Sequence, residues 1–123
     1  MLFRSAEVLI AGFVIAGSEP KRLLIRGVGP ALAGFGVGGV LADPQLAIYR
    51  QGSAAALRQN DDWGLGGGAA LAAAAAQAGA FALPANSRDA ALLLVLEPGA
   101  YTAQISGAGA STGVALLELY DVP

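Results

Sequence analysis

The stretch from Pro98 to Gly107 constrains the fold of this chain more than any other. It opens with a Pro-Gly turn, continues with alternating apolar and polar residues, and ends at a glycine. In a strand, Tyr101, Ala103 and Ile105 would point to one face, and the polar residues between them to the other. This period of two is typical of a β-strand with one buried and one hydrated face. The chain is therefore predicted to be antiparallel and all-β rather than an α/β enzyme.

Similar segments recur at short spacing with turn residues between them, which predicts about seven strands. One short alanine-rich helix is expected over residues 69–78, because Gly79 is a natural C-terminal stop. The length suits one domain, residues 1–123. We expect an antiparallel β-sandwich of the jelly-roll or immunoglobulin-like kind, and a small closed barrel is the alternative.

The segment Val8–Ile15 is apolar on both faces. Such a run is typical of a central strand buried on both sides, or of a strand that a partner covers. It is expected to form a hairpin with residues 21–28. The N-terminus also resembles a secretion signal, but Glu7 interrupts it and the apolar run is too short to cross a bilayer. We therefore predict a strand with interface residues Val8, Ile10, Phe13 and Ile15.

Charged residues are sparse for a soluble protein. They make up 13% of the chain, the net charge is −2, and 55% of the residues are hydrophobic. Soluble domains usually carry about 25% charged residues, so part of the surface is expected to be covered by neighbouring molecules. The seven Lys and Arg residues are scattered, which gives nucleic acid no basic patch. No apolar segment is long enough for a membrane span.

The residue types for catalysis are largely missing. The chain has no cysteine and no histidine, which removes thiolate nucleophiles and the commonest general base. A glycosidase needs two carboxylates a few ångströms apart. No pattern in the sequence places any two of the four candidate acids for such a pair together. These acids are Glu7, Glu97, Glu118 and Asp121. We expect no enzymatic activity.

Acidic and amide side chains cluster at one predicted turn. Asn60, Asp61 and Asp62, with Asp43 or Asp121, are candidate ligands for calcium, which prefers several oxygen donors around one point. The stretch lacks the spacing of a regular calcium-binding loop, and an Asx-type turn is the alternative. Calcium is the one cofactor that the sequence leaves open.

Two aromatic residues near turns are candidates for a ligand platform. Trp63 and Tyr49 would stack against sugar rings if the fold brought them together. The alternative for Trp63 is a packing role over one end of the core.

Seven segments, in this order, resemble a β-sandwich module that recurs in large secreted and surface proteins of environmental bacteria. They are VLIAGFVIAG, KRLLIRGVGPAL, LADPQLAIY, NDDWG, AGAFALP, SRDAALLLVLEPGAYTAQISG and TGVALLELYDV, and together they span residues 8–122. The strand containing PGAYT is also loosely similar to pre-peptidase C-terminal domains. The resemblance implies an extracellular, non-catalytic structural or adhesive role and supplies no catalytic residues. Modules of this kind typically carry a further strand upstream of VLIAGF, and only residues 1–6 precede it here. If that strand is missing, the sheet is expected to have an unpaired edge beside a hydrophobic strand.

These features together predict a secreted or cell-surface bacterial structural module. It is expected to self-associate into a homo-oligomer or a homopolymer such as a filament, through edge strands or head-to-tail contacts. The alternative is a carbohydrate- or matrix-binding accessory module of a larger secreted protein.

Overall fold

The computed structural model describes residues 2–5, 8–65 and 67–123. In these residues the chain forms eight strands, one α-helix and two 3-10 segments. The strands are β1 (Leu2–Ser5), β2 (Val8–Ile15), β3 (Lys21–Val28), β4 (Pro44–Arg50), β5 (Ala56–Asn60), β6 (Ala90–Leu96), β7 (Gly99–Gly107) and β8 (Gly113–Asp121). The helix is α1 (Gly68–Ala78), and the 3-10 segments are Pro30–Phe35 and Ala108–Ala110.

The strands form two four-stranded sheets. Sheet A has the order β1-β8-β3-β6, sheet B has the order β2-β7-β4-β5, and all strand pairs are antiparallel. Eight antiparallel strands in this order form a jelly roll. The predicted all-β sandwich with one short helix is therefore confirmed. It has one strand more than expected, because residues 2–5 form a strand upstream of β2 that pairs with β8, so the upstream strand of the module pattern is present.

The predicted hairpin between the first two long strands is wrong. β2 lies in sheet B against β7, whereas β3 lies in sheet A between β6 and β8. The reason is that β3 is a central strand: β6 occupies one flank and β8 the other, so β3 has no free flank for β2. β3 finds these neighbours far along the chain, where local turn signals give no information.

The two faces of sheet A bury two separate apolar clusters. The inward face packs against sheet B in the main core, to which β3 contributes Leu23 and Ile25. The outward face is covered by α1, the 3-10 segment Pro30–Phe35 and the chain around Leu83. This second cluster explains why Leu24 and Arg26, on the outward face of β3, are buried.

The alternation that we predicted for β7 is confirmed. Tyr101, Ala103 and Ile105 are at most 2% exposed and belong to the main core. Thr102, Gln104 and Ser106 are half-buried on the outer face of sheet B.

Candidate functional site

Three aspartates meet where β4 begins and β5 ends. Asp43 directly precedes β4, and Asp61 and Asp62 directly follow β5. These strands are antiparallel neighbours, with Leu46 opposite Asn60, so the two ends lie side by side. Oxygen atoms of the three carboxylates all lie within 4.8 Å of one another. We call these three residues the acidic cluster.

Burial and the neighbouring carboxylates raise the pKa of Asp43. Burial, a hydrogen bond with Asp61 and repulsion from Asp61 and Asp62 raise the pKa of Asp43 from 3.8 to about 6. Arg88 acts in the opposite direction, with Nη1 3.8 Å from Oδ2 of Asp43, but its side chain is 69% exposed. Oδ1 of Asp43 and Oδ1 of Asp62 are buried without a hydrogen-bond partner. The cluster therefore has acceptor capacity that a proton or a cation would use.

The other predicted metal ligands are occupied elsewhere. Asn60 donates from Nδ2 to the Asp62 carbonyl (3.2 Å) and accepts at Oδ1 from the Ala91 amide (3.1 Å). Asn60 therefore joins β5 to β6 and also contacts the turn after β5, with its amide nitrogen as donor rather than with the oxygen acceptor of an Asx turn. Asp121 forms an exposed ion pair with Lys21 at 3.1 Å and is not part of the cluster. Of the expected set, Asp43, Asp61 and Asp62 are brought together.

The segment Val8–Ile15 forms an edge strand, not a central one. β2 pairs with β7 on one flank, and no other strand of the described residues pairs with the opposite flank. Its side chains alternate: Ile15 is 7% exposed and Phe13 is half-buried against Tyr101, whereas Ile10 is 56% and Val14 is 70% exposed. Phe13 and Ile15 therefore face the molecule's own core. The side chain of Val8 lies outside the described part of the chain. Of the predicted interface residues, Ile10 is exposed, and the structure adds Val14.

Trp63 and Tyr49 do not share a platform. The Trp63 ring packs into the second cluster beneath α1, and its indole N–H lies 3.1 Å from the Pro84 carbonyl and 3.2 Å from Ser87 Oγ. Tyr49 lies on the outer face of sheet B, beside a shallow groove of about 340 Å³. This groove is lined mainly by polar side chains, among them Gln45, Gln59, Asp61, Gln104 and Ser106.

The fold has a counterpart among solved structures. The pre-peptidase C-terminal domain of collagenase from Bacillus anthracis superimposes with a TM-score of 0.55, over 97% of this chain and 87% of that chain. The chain is similar in fold to that domain. The two sequences are 10% identical, so the likeness shows the fold alone. No family model and no curated protein matches the sequence. In the described residues, no helix has the length and apolarity needed to cross a membrane.

Three further acids that the sequence singled out have different surroundings. Glu97 is exposed, Glu118 is bound to Arg26, and Glu7 lies outside the described residues. Sequence reasoning missed two buried charged residues, Arg26 and Asp89, which are 1% and 0% exposed. Asp89 stands directly before an apolar strand. That position was the only signal in the sequence, and it does not show which backbone amides the carboxylate binds.

Proposed function

We propose that this chain is a non-catalytic module of a larger secreted bacterial protein, and that two copies associate through the free flank of β2. The first part is supported by the fold, because the similar structure is itself one domain of a collagenase. The second part is carried by a single observation: β2 is an eight-residue edge strand with no charged residue and no proline, and two of its described side chains, Ile10 and Val14, are apolar and exposed.

Edge strands usually carry features that block pairing with another chain, such as charges, prolines, bulges or short length. The opposite edge of sheet B shows such protection. β5 has five residues, includes Arg58, and shifts register against β4 between Ile48 and Tyr49. β2 shows none of these features in its described residues. The free N–H and C=O groups on its outer flank are therefore available to a second copy.

Antiparallel pairing of β2 with β2 of a second copy fits its side chains. A twofold axis at Gly12 would place Ile10 opposite Val14 of the partner subunit, so that the two exposed apolar residues contact each other across the strand pair. This contact uses the same surface on both copies and closes as a dimer. Pairing of β2 with β5 of the next copy would instead continue sheet B and build a filament, but Arg58 on β5 opposes burial at that contact.

A second candidate function uses the groove on sheet B. Amide and hydroxyl groups beside the Tyr49 ring can form hydrogen bonds with a sugar while the ring stacks on it. This observation favours a carbohydrate- or matrix-binding accessory role.

The association is tested with the double variant Ile10→Lys/Val14→Lys, followed by sedimentation equilibrium over a range of protein concentrations. We expect the wild type to dimerise and the variant to weaken dimerisation by about 100-fold or more, because two apolar contacts are lost and like charges meet. Val95→Lys is the matched control. Val95 is 61% exposed on β6, the edge of the other sheet, so this variant should dimerise like wild type.

A wild-type monomer at all concentrations would contradict association through β2, and so would equal weakening by Val95→Lys. If the monomeric wild type bound polysaccharide and the Tyr49→Ala variant did not, the result would support carbohydrate binding in the groove on sheet B.

The calcium site remains a prediction, with Asp43 in the place of Asn60. Without calcium, the melting temperature should fall as the pH rises from about 4 to about 6. In this window the folded chain keeps a proton on Asp43 that the unfolded chain, with a pKa of 3.8, has released. At pH 7.5 the carboxylates repel one another, and millimolar calcium should raise the melting temperature by a few degrees.

Asp43→Asn should abolish both the pH dependence and the response to calcium. It should also raise the calcium-free melting temperature at pH 7.5, since one of three crowded charges is gone. Asp121→Asn removes an exposed carboxylate outside the cluster and should leave both responses unchanged. A melting temperature that does not respond to calcium in the wild type would show that the cluster binds protons but no calcium.

A further inference from the structure

One side of the sandwich has a groove between the edge strands of the two sheets. β5 is the last strand of sheet B and β6 is the last strand of sheet A, and residues of both line a groove of about 290 Å³, which we call the edge groove. Asn60 of β5 joins the two strands at one end, where its Oδ1 accepts from the Ala91 amide of β6 (3.1 Å). Beyond Ala91, no strand of the described residues pairs with the outer flank of β6.

The Ala91 amide shows which backbone groups of β6 point to this outer flank. In an antiparallel ladder, successive residues direct their N–H and C=O groups alternately to one flank of the strand and to the other. The Ala91 amide points away from β3 and toward β5, so Leu93 and Val95 direct their groups the same way. Leu93 lines the edge groove, and Val95 is 61% exposed. These two residues therefore offer two N–H and two C=O groups to an added strand.

Arg58 places a positive charge on the β5 side of the edge groove. It lies opposite Ile48 of β4, a core residue that is 0% exposed. Residues directly opposite each other share a sheet face, so Arg58 extends from the inner face of sheet B, as its neighbour Asn60 does. Arg58 is exposed, lines the edge groove, and has no ion pair or hydrogen bond with any described residue. An acidic side chain bound here would therefore meet an unpaired guanidinium.

The wall of the edge groove toward α1 is apolar. It includes Leu93 of β6, Leu71 of α1 and Leu65, which precedes the helix and is 72% exposed. A strand added to β6 would point its side chains alternately to the two faces of sheet A. Side chains on the outer face would contact these leucines, and side chains on the inner face would lie on the side of Arg58. Alternation of apolar and acidic residues therefore fits both walls.

We propose that the edge groove binds an extended segment of another protein in which an acidic residue is flanked by apolar ones. The segment pairs with β6 through its backbone, and its acidic side chain pairs with Arg58. A second copy of this chain fits less well, because pairing of β6 with β6 would bring two Arg58 side chains to one contact and β2 has no acidic residue. The edge groove lies at the opposite edge of sheet B from β2, so this binding does not depend on association through β2.

The experiment titrates the isotope-labelled protein with the peptide Thr-Val-Asp-Val-Thr, blocked at both ends, and follows the backbone amide signals by NMR. We expect the amide signals of Leu93 and Val95 to shift and their hydrogen exchange to slow, with a dissociation constant on the order of 1 mM. The same peptide with lysine in place of aspartate should bind about tenfold more weakly or worse, because its ammonium group meets Arg58.

Variants on the two strands locate the binding. Val95→Pro removes an N–H group that points away from the sheet, a position at which edge strands tolerate proline, and it should weaken binding about tenfold or more. Val95→Thr is the matched control, because it keeps the N–H group and should bind like wild type. Arg58→Glu changes an exposed side chain and should reverse the preference, so that the lysine peptide binds more tightly. This reversal decides the case if Val95→Pro does not fold.

Four results would overturn the proposal. They are amide signals of Leu93 and Val95 that do not respond to the aspartate peptide, equal affinity of the wild type for the two peptides, unchanged binding in Val95→Pro, and an unchanged preference in Arg58→Glu. Shifts of the same two signals when the protein is concentrated without peptide would assign the flank of β6 to a second copy instead, and would contradict the proposal as well.

Discussion

Replacing Asp89 with alanine is expected to destabilise the fold by about 4 kcal/mol, a large share of the 5–15 kcal/mol that typical domains have. Asp89 is 0% exposed, and its carboxylate organises the loop that leads from β3 into the 3-10 segment Pro30–Phe35. Oδ1 accepts from the amides of Gly29 (2.7 Å) and Ala31 (3.1 Å). Oδ2 accepts from the Ala31 amide (3.2 Å) and from Ser87 Oγ (2.7 Å).

The size of the effect follows from what alanine leaves behind. Hydrogen bonds to a charged group contribute about 1.5–3 kcal/mol each, and a buried N–H without an acceptor costs about 1–3 kcal/mol. Asp89→Ala removes the acceptor of two backbone amides at once, at a site that water cannot reach. Asp89→Asn keeps one oxygen for these amides and replaces the other with an NH₂ group, so about half of the loss is expected.

Urea unfolding of the two Asp89 variants, followed by Trp63 fluorescence, measures these losses as shifts of the midpoint. Glu19→Ala is the control, because it removes an exposed carboxylate in a turn and should change stability by less than about 0.5 kcal/mol. An Asp89→Ala variant within about 1 kcal/mol of wild type would show that the carboxylate does not organise the loop.

The individual elements were predictable because their signals are local. The alternation of β7 depends on neighbouring residues, and the alanine run with its terminal glycine predicts α1 almost to its ends. The acidic cluster was also within reach, since Asp43 and Asp61 flank β4 and β5, which are consecutive strands that pair with each other.

The pairing of the strands was not predictable in this way. Four of the strand pairs are nested in sequence, each enclosing the next: β1–β8, β2–β7, β3–β6 and β4–β5. The first three of these pairs join segments far apart in sequence, and their choice depends on how apolar faces match once the chain is compact. The hairpin predicted for β2 and β3 failed for this reason.

The burial of charged side chains could not be predicted either, because it also depends on tertiary contacts. The sequence places Arg22, Leu24 and Arg26 on one face of β3, which suggests a hydrated face. The structure covers that face with α1, a helix with little apolar side chain to indicate that it lies on a sheet. Only the tertiary arrangement shows that Arg26 is buried and that Glu118, opposite it on β8, must be its partner.

The second large loss of stability is expected when the ion pair of Arg26 and Glu118 is broken. Nε and Nη2 of Arg26 both lie 2.8 Å from Glu118 Oε1, and the guanidinium lies 4.5 Å from the centre of the Phe81 ring. Tyr120 donates to Oε2 of Glu118 at 2.7 Å. Burial, followed by this hydrogen bond, raises the pKa of Tyr120 to about 12, so its hydroxyl stays a donor at neutral pH.

Breaking the pair from one side is expected to destabilise the chain by about 3–5 kcal/mol, because an uncompensated charge stays buried. Arg26→Met leaves the carboxylate of Glu118, and Glu118→Leu leaves the guanidinium of Arg26. The double variant should be destabilised less than either single variant, since no unpaired charge remains and both replacements are apolar.

Urea unfolding of the four proteins gives the coupling energy of the pair as a double-mutant cycle. Additive losses would mean that the two side chains act independently, for example through packing alone. Lys21→Met combined with Asp121→Leu is the matched control, because that pair is 52% and 62% exposed and should show coupling below about 1 kcal/mol. A large coupling at Arg26 and a small one at Lys21 would separate the effect of burial from that of charge. Both pairs join β3 to β8, but Lys21 and Asp121 lie at the exposed ends of these strands, whereas Arg26 and Glu118 are directly opposed in the strand interior, where Phe81 covers Arg26.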